Sequence, residues 1–198
     1  MCTFVKIFTC CLLLSTFLTT QAESIQLYLS EKDIGDAVEY GTSRRDLTHP
    51  ELLKDWRVDL GYGVGSATII TPFGSIAVLA KEMARRFREP TDREIREALD
   101  KEKGELRFGC SLYGDNAWFA DDYKATLMYK DKKLEPSETE IPSSAKYTRS
   151  YPDSPRYWAL CFFDFEIINI DPNARVTLIL KDGEGKELKF PFDLSRLR

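Results

Sequence analysis

The chain has 198 residues, 43% of them hydrophobic and 30% charged, the balance of a folded globular protein and not of a disordered one. Its 28 basic and 32 acidic residues leave a net charge of -4, which argues against nucleic acid or an anionic membrane as a partner. The single histidine, His49, excludes histidine-rich zinc sites and any triad not built on that one ring.

The N-terminus carries one charge, Lys6, then an apolar run from Ile7 to Leu18, then Thr-Thr-Gln-Ala. These are the parts of a secretory signal with a cut after Ala22. The run is shorter than the roughly 20 residues a spanning helix needs. Cys10 and Cys11 precede Leu12, Leu13 and Leu14, the wrong order for a lipidated cysteine. The expectation is an exported protein, periplasmic or extracellular, with no stable membrane span once the signal is removed. Removal also takes Cys2, Cys10 and Cys11, leaving Cys110 and Cys161. An even number in an exported chain fits a Cys110–Cys161 disulfide, and two buried free thiols fit equally well.

Ile25, Leu27 and Leu29 alternate and predict a strand over 24–30. Ser30 to Asp33 reads as a helix start and Gly41 as its stop. Thr48, Pro50 and Glu51 open a second helical segment of a turn or two, reaching about Trp56. The strongest helix runs from Thr71 to Arg88, with Phe73, Ile76, Ala80, Met83 and Phe87 recurring at spacings of three and four. With Phe87 in that stripe, Phe87→Ala is expected to cost about 3–5 kcal/mol. Lys81, Arg85, Arg86 and Arg88 fall to a solvated face near the helix C-terminus, where the dipole favours cations. Pro90 ends this helix. Thr91 to Glu94 opens another, with Glu97 and Lys101 spaced as an i,i+4 pair and Gly104 as its cap.

From Glu105 the period changes to two. Leu106, Phe108, Cys110 and Leu112 alternate with smaller or more polar residues, and Tyr123, Ala125, Leu127 and Tyr129 repeat the pattern. Residues 135–156, rich in proline and serine, predict a long exposed loop. Tyr157 to Ile168 is apolar on both faces, so a strand there is covered on both sides. Val176, Leu178 and Leu180, then Asp182 to Gly185, then Leu188, Phe190 and Phe192 predict a hairpin.

Helices followed by antiparallel strands predict an α+β fold: an N-terminal helical part packed on an antiparallel β-sandwich. The expected organisation is a signal over 1–22, the helical part over 23–104 and the sandwich part over 105–198, within one structural domain. The last strand pair and its Asp-Gly-rich turn resemble those of bacterial immunoglobulin-like modules, which implies an immunoglobulin-like arrangement at the C-terminus.

The candidate sites are few. Tyr147, Tyr151 and Tyr157, in or beside the Pro/Ser loop, carry recognition-surface chemistry with their serine and arginine neighbours. Asp115, Asn116, Asp121 and Asp122 crowd one inter-strand connection, as calcium ligands or as an acidic turn. Gly61, Gly63 and Gly65 match no nucleotide-binding fingerprint and read as a flexible or bulged strand. No catalytic residue is assigned: His49 stands beside a helix-starting proline, and the cysteines sit on core-facing phases. The leading expectation is therefore an exported non-catalytic protein that binds an unknown protein or envelope component, or has a structural role in the cell envelope or outside the cell, without a cofactor and without nucleic acid. The alternative is a small-ligand or carbohydrate-binding module, with calcium as its one conceivable cofactor. A secreted hydrolase stands third.

Overall fold

A computed structural model describes residues 28–101, 104–166 and 170–197. The signal segment and most of the predicted strand at 24–30 lie outside these residues; Tyr28 to Ser30 are not strand. Four α-helices and ten strands follow, an α+β architecture of helices and two antiparallel sheets in a sandwich-like arrangement.

Helix α1 (Glu31–Ser43) is closed at its start by a capping box between Ser30 and Asp33. It does not stop at Gly41. That glycine lies inside the helix, where α1 crosses α3 (Pro72–Arg85) so closely that a Cβ would stand 2.0 Å from the Ala77 carbonyl oxygen. The glycine therefore serves backbone approach and not termination. Helix α2 (His49–Leu52) has the expected Thr48–Glu51 capping box and runs on as a 3-10 turn to Trp56. Trp56, Phe73 and Tyr40 pack ring on ring, with centroids 5.8 to 6.0 Å apart, and tie α1, α3 and this turn together.

Helix α3 starts on the Thr71 cap and buries Phe73, Ile76, Ala80 and Met83, but the stripe ends there. Phe87 is 93% exposed, with φ of 57°. The Arg88 N–H donates to the Met83 carbonyl and the Phe87 N–H to that of Ala84, the paired bonds of a Schellman ending with Phe87 in the left-handed position. The hydrophobic repeat placed Phe87 in the core; the helix unwinds one residue before reaching it. Phe87→Ala should leave stability within about 0.5 kcal/mol of the parent. Phe87→Gly should raise stability by about 1 kcal/mol by relieving the left-handed strain, and urea melts of both variants check this. Helix α4 (Asp92–Lys101) opens on Thr91 and Glu94, and Glu94 also holds Arg88 at 2.6 Å. Glu97 pairs with Arg93. Gly104, ahead of β3, has φ of 85°, in the left-handed region that favours glycine. Among the described residues no helix is long and apolar enough to cross a membrane.

The larger sheet has six strands: β1 (Arg57–Asp59), β2 (Ser66–Ile70), β3 (Glu105–Gly114), β8 (Tyr157–Glu166) and β6 (Glu138–Glu140) in that order, with β7 (Lys146–Tyr147) also on β8. The smaller sheet orders β10 (Glu187–Asp193), β9 (Arg175–Lys181), β4 (Lys124–Tyr129) and β5 (Lys132–Leu134). The predicted C-terminal hairpin is present, with Leu180 opposite Leu188 and Leu178 opposite Phe190. Three features depart from expectation. The N-terminal part contributes β1 and β2 to the sheet, the glycines at 61, 63 and 65 forming the turn between them with positive φ. The long Pro/Ser loop is partly strand, because β6 and β7 add edge pairing to β8. Finally, Gly41 lengthens α1 where it was expected to end it.

Alternation sorts the larger sheet's side chains into two faces. Ala67, Ile69, Phe108, Leu112, Ala159 and Phe163 are buried on the inner face, and Phe108 meets Phe192 of the smaller sheet at 5.4 Å between ring centroids. The outer phase carries Thr68 and Ile70 of β2, Arg107, Gly109, Ser111 and Tyr113 of β3, and Trp158, Leu160, Phe162 and Asp164 of β8.

Candidate functional site

The central strand β3 presents Gly109 and Ser111 on its outer phase, between Arg107 and Tyr113 at the two ends. With almost no side chain in the middle of the sheet, the floor is sunk. A Cβ on Gly109 would come within 3.2 Å of the Phe162 ring. The neighbouring strand β8 raises Trp158, Leu160 and Phe162 beside this depression, and Leu160 is 43% exposed. Helices α2, α3 and α4 supply the opposite wall through Leu53, Val78 and Ala98. The result is a groove of about 620 Å³ with a largely apolar lining, within the size range of small-molecule sites. Three cationic or potentially cationic side chains reach it, His49, Arg57 and Lys101, and among the described residues no carboxylate lines it.

At one rim the His49 Nε2 lies 3.1 Å from the Glu82 Oε1, the same oxygen that the Lys81 ammonium contacts at 3.0 Å. Lys81 was expected on a solvated face; it is 1% exposed, with its charge turned onto Glu82. The hydrogen bond from Lys81, helped by His49, holds the Glu82 carboxyl below the usual carboxylate range. Among the described residues the His49 ring bonds Glu82 and no hydroxyl or thiol. That contact aims the ring at a carboxylate.

Beyond the groove's Phe162 end, Arg107 stacks over that ring at 4.7 Å and pairs with Asp164 at 3.1 Å and with Glu140. Asp164 is 1% exposed, and its Oδ1 has no hydrogen-bond partner among the described residues. Burial pushes its carboxyl up to about 6 in spite of Arg107, with Glu105, Glu140 and Glu138 adding to the rise. A carboxyl raised above its unfolded value favours folding most at low pH, and that contribution is lost as pH rises from about 4 through 6. Asp164→Asn should therefore stabilise the protein by about 1 kcal/mol at pH 8, since the amide carries no charge to desolvate but keeps less of the attraction to Arg107. Urea melts at pH 5 and pH 8 measure it: the gain should shrink at the lower pH.

The structure brings the three predicted tyrosines together. Tyr147 and Tyr157 are register partners of β7 and β8, and the rings of Tyr147, Tyr151 and Tyr157 lie 4.3 to 6.4 Å apart. Tyr147 is 63% exposed. The same loop sends Arg149 over the Tyr62 ring at 4.1 Å, and the Ser150 hydroxyl meets that of Tyr62 at 2.9 Å.

The acidic connection is differently used. Asp115 accepts from the Ser154 hydroxyl at 2.9 Å and from the Arg156 N–H at 3.2 Å, which pins the Pro/Ser loop. The Asn116 Oδ1 accepts from the Trp118 N–H. Asp121 and Asp122 are exposed on a 3-10 turn. Among the described residues no group of three or more His, Cys, Asp or Glu side chains is placed to hold a metal ion. The Asp115 carboxylate and the Asn116 amide oxygen are thus engaged within the fold.

Cys110 and Cys161 stand directly opposite each other on β3 and β8 as buried free thiols, one of the two arrangements the sequence left open. Burial, reinforced by the neighbouring Cys161, pushes the Cys110 thiol well up, and burial pushes Cys161 up to about 11. Neither is a ready nucleophile.

No family model matches the chain, and no curated protein matches it in sequence. Its class is thus defined by architecture: a helix-covered β-sandwich with an apolar groove between helices and sheet. The sequence reading missed that groove, though one signal was present. A strand with apolar residues on both faces lies beside one whose outer phase is glycine and serine.

Proposed function

We propose that this is an exported, non-catalytic binding protein that holds the apolar part of a small amphipathic molecule in the groove between its helices and the larger sheet. The observation that carries the reading is the groove itself, with Trp158, Leu160 and Phe162 half-exposed along one side of it. Protein interiors close-pack, and a cleft of this size that keeps apolar side chains in reach of solvent is the usual form of a ligand site. Export rests on the N-terminal signal pattern. The geometry of His49 and the raised thiols support binding over catalysis.

A neutral apolar fluorophore such as N-phenyl-1-naphthylamine tests the groove. One molecule should bind per chain, and Ser111→Phe, which fills the floor, should weaken binding about tenfold or more while leaving the melting temperature close to the parent's. Undiminished binding to Ser111→Phe would place the site elsewhere. The exposed cluster of Tyr147, Tyr151 and Tyr157 beside Arg149 favours a second reading, in which the same protein also meets a macromolecular partner through that loop.

A further inference from the structure

We propose that the groove's ligand ends in an anionic head held at Arg57, where the apolar cleft opens into a second, polar hollow. This inference rests on the reading of the groove as a ligand site. The second hollow, of about 500 Å³, shares Pro50 and Arg57 with the first and is further bounded by Tyr40, Arg44, Glu51, Lys54 and Asp59. One residue of the shared wall therefore faces both an apolar space and a charged one.

The charges in the hollow are not balanced in kind. Glu51 is committed to the helix cap, accepting from the Thr48 N–H and hydroxyl, each at 2.7 Å. Asp59 accepts from the Gly61 N–H at 2.8 Å and from Arg57 at 3.1 Å. Both carboxylates thus work within the fold. The Arg44 guanidinium stands over the Tyr40 ring at 3.9 Å and donates through Nη1 to the Tyr40 carbonyl and the Ser43 hydroxyl, and Lys54 is exposed on the 3-10 turn. On the groove side Lys101 adds a cationic side chain, while His49 is already bonded to Glu82.

Arg57 itself is 19% exposed at its side chain, and its Nε and Nη2 atoms turn to Asp59. A guanidinium has five N–H donors, so donors remain for a ligand oxygen. Charge-assisted bonds made in this partly desolvated setting are stronger than on open surface. A hydrocarbon chain lying along Val78, Leu160 and Phe162 would bring its polar end to this junction. The chemistry that fits is a single acyl chain ending in anionic oxygens, of which a carboxylate and a phosphate monoester are the two common forms.

The mature chain is titrated with palmitate, with 1-palmitoyl lysophosphatidate and with neutral 1-monopalmitoylglycerol, following tryptophan fluorescence (Trp158 lines the groove) and heat. At least one anionic chain should bind about tenfold or more tightly than the neutral one, and the tighter of the two identifies the head. Arg57→Gln should abolish that preference while leaving affinity for monopalmitoylglycerol within about twofold. Lys54→Gln, on an exposed turn, gives a second variant that does not disturb the Asp59 pair and should reduce the preference less. Equal affinity for all three chains would overturn the anionic head and leave the groove reading intact. A preference that survived both substitutions would overturn the assignment to Arg57. Failure of all three chains together with the neutral fluorophore would overturn the groove reading as well.

Discussion

Gly41→Ala should destabilise the protein by about 3 kcal/mol, the upper part of the range for overpacking. The added methyl would stand 2.0 Å from the Ala77 carbonyl oxygen and 2.8 Å from its carbonyl carbon, inside van der Waals contact with both. These are backbone atoms of a regular helix, so no rotamer change makes room, and α1 must move away from α3 as a unit. That movement would also disturb the Tyr40, Trp56 and Phe73 cluster that joins the same elements. Gly35, on the same helix, is the internal control: nothing lies within 4 Å of its Cβ position. Gly35→Ala should stabilise by about 0.5–1 kcal/mol through helix propensity alone. Urea denaturation of the two variants should therefore show shifts of opposite sign. Equal shifts would mean that α1 and α3 do not cross at Gly41.

Glu82→Ala should cost about 3 kcal/mol, because it leaves the Lys81 ammonium buried without its carboxylate. The Lys81 side chain is 2% exposed while that of Glu82 is 35% exposed, so the carboxylate reaches the surface and the cation does not. The asymmetry predicts an unequal pair of single variants. Lys81→Met removes the buried charge and replaces it with an apolar chain of similar length, which should be near neutral. In the Lys81→Met background, Glu82→Ala should then cost less than about 1 kcal/mol, since only the exposed contact with His49 remains to lose. A double-mutant cycle measured by thermal melts gives the coupling directly. Additive effects would show that Lys81 does not depend on Glu82.

Local chemistry was readable wherever one segment carried all of it. The capping residues Ser30, Thr48, Thr71 and Thr91 and the change of period at Glu105 located the helices and the start of β3, because capping and alternation are properties of a few consecutive residues. Phe87 was misread because the three-and-four repeat continues past the point where the backbone unwinds. Gly41 was misread because a glycine that ends a helix and one that lets another helix approach are the same letter. β1 and β2 were not resolved as strands, since three and five residues show little alternation. The groove was invisible for a different reason. Its walls come from three helices and four strands, and only the register that sets Gly109 beside Phe162 and Ser111 beside Leu160 reveals a hollow there. The tyrosine cluster could be suggested from one loop because that loop and the start of β8 contain all three rings.

The ladder between β3 and β8 joins Glu105 to Glu166 and Gly114 to Tyr157, separations of 61 and 43 residues. Two strands of the smaller sheet, β4 and β5, are threaded between those partners in the chain. Pairing over such distances must close a long loop before any bond repays the lost entropy, which places this domain among slow folders. α1 and α3 and the β9–β10 hairpin are closer in sequence and can form early, while the sheet beneath the groove waits for residues beyond 160. The β4–β9 ladder spans similar distances, so both sheets close late, and a chain that folds slowly stays competent for passage through a translocation channel, which suits the proposed export.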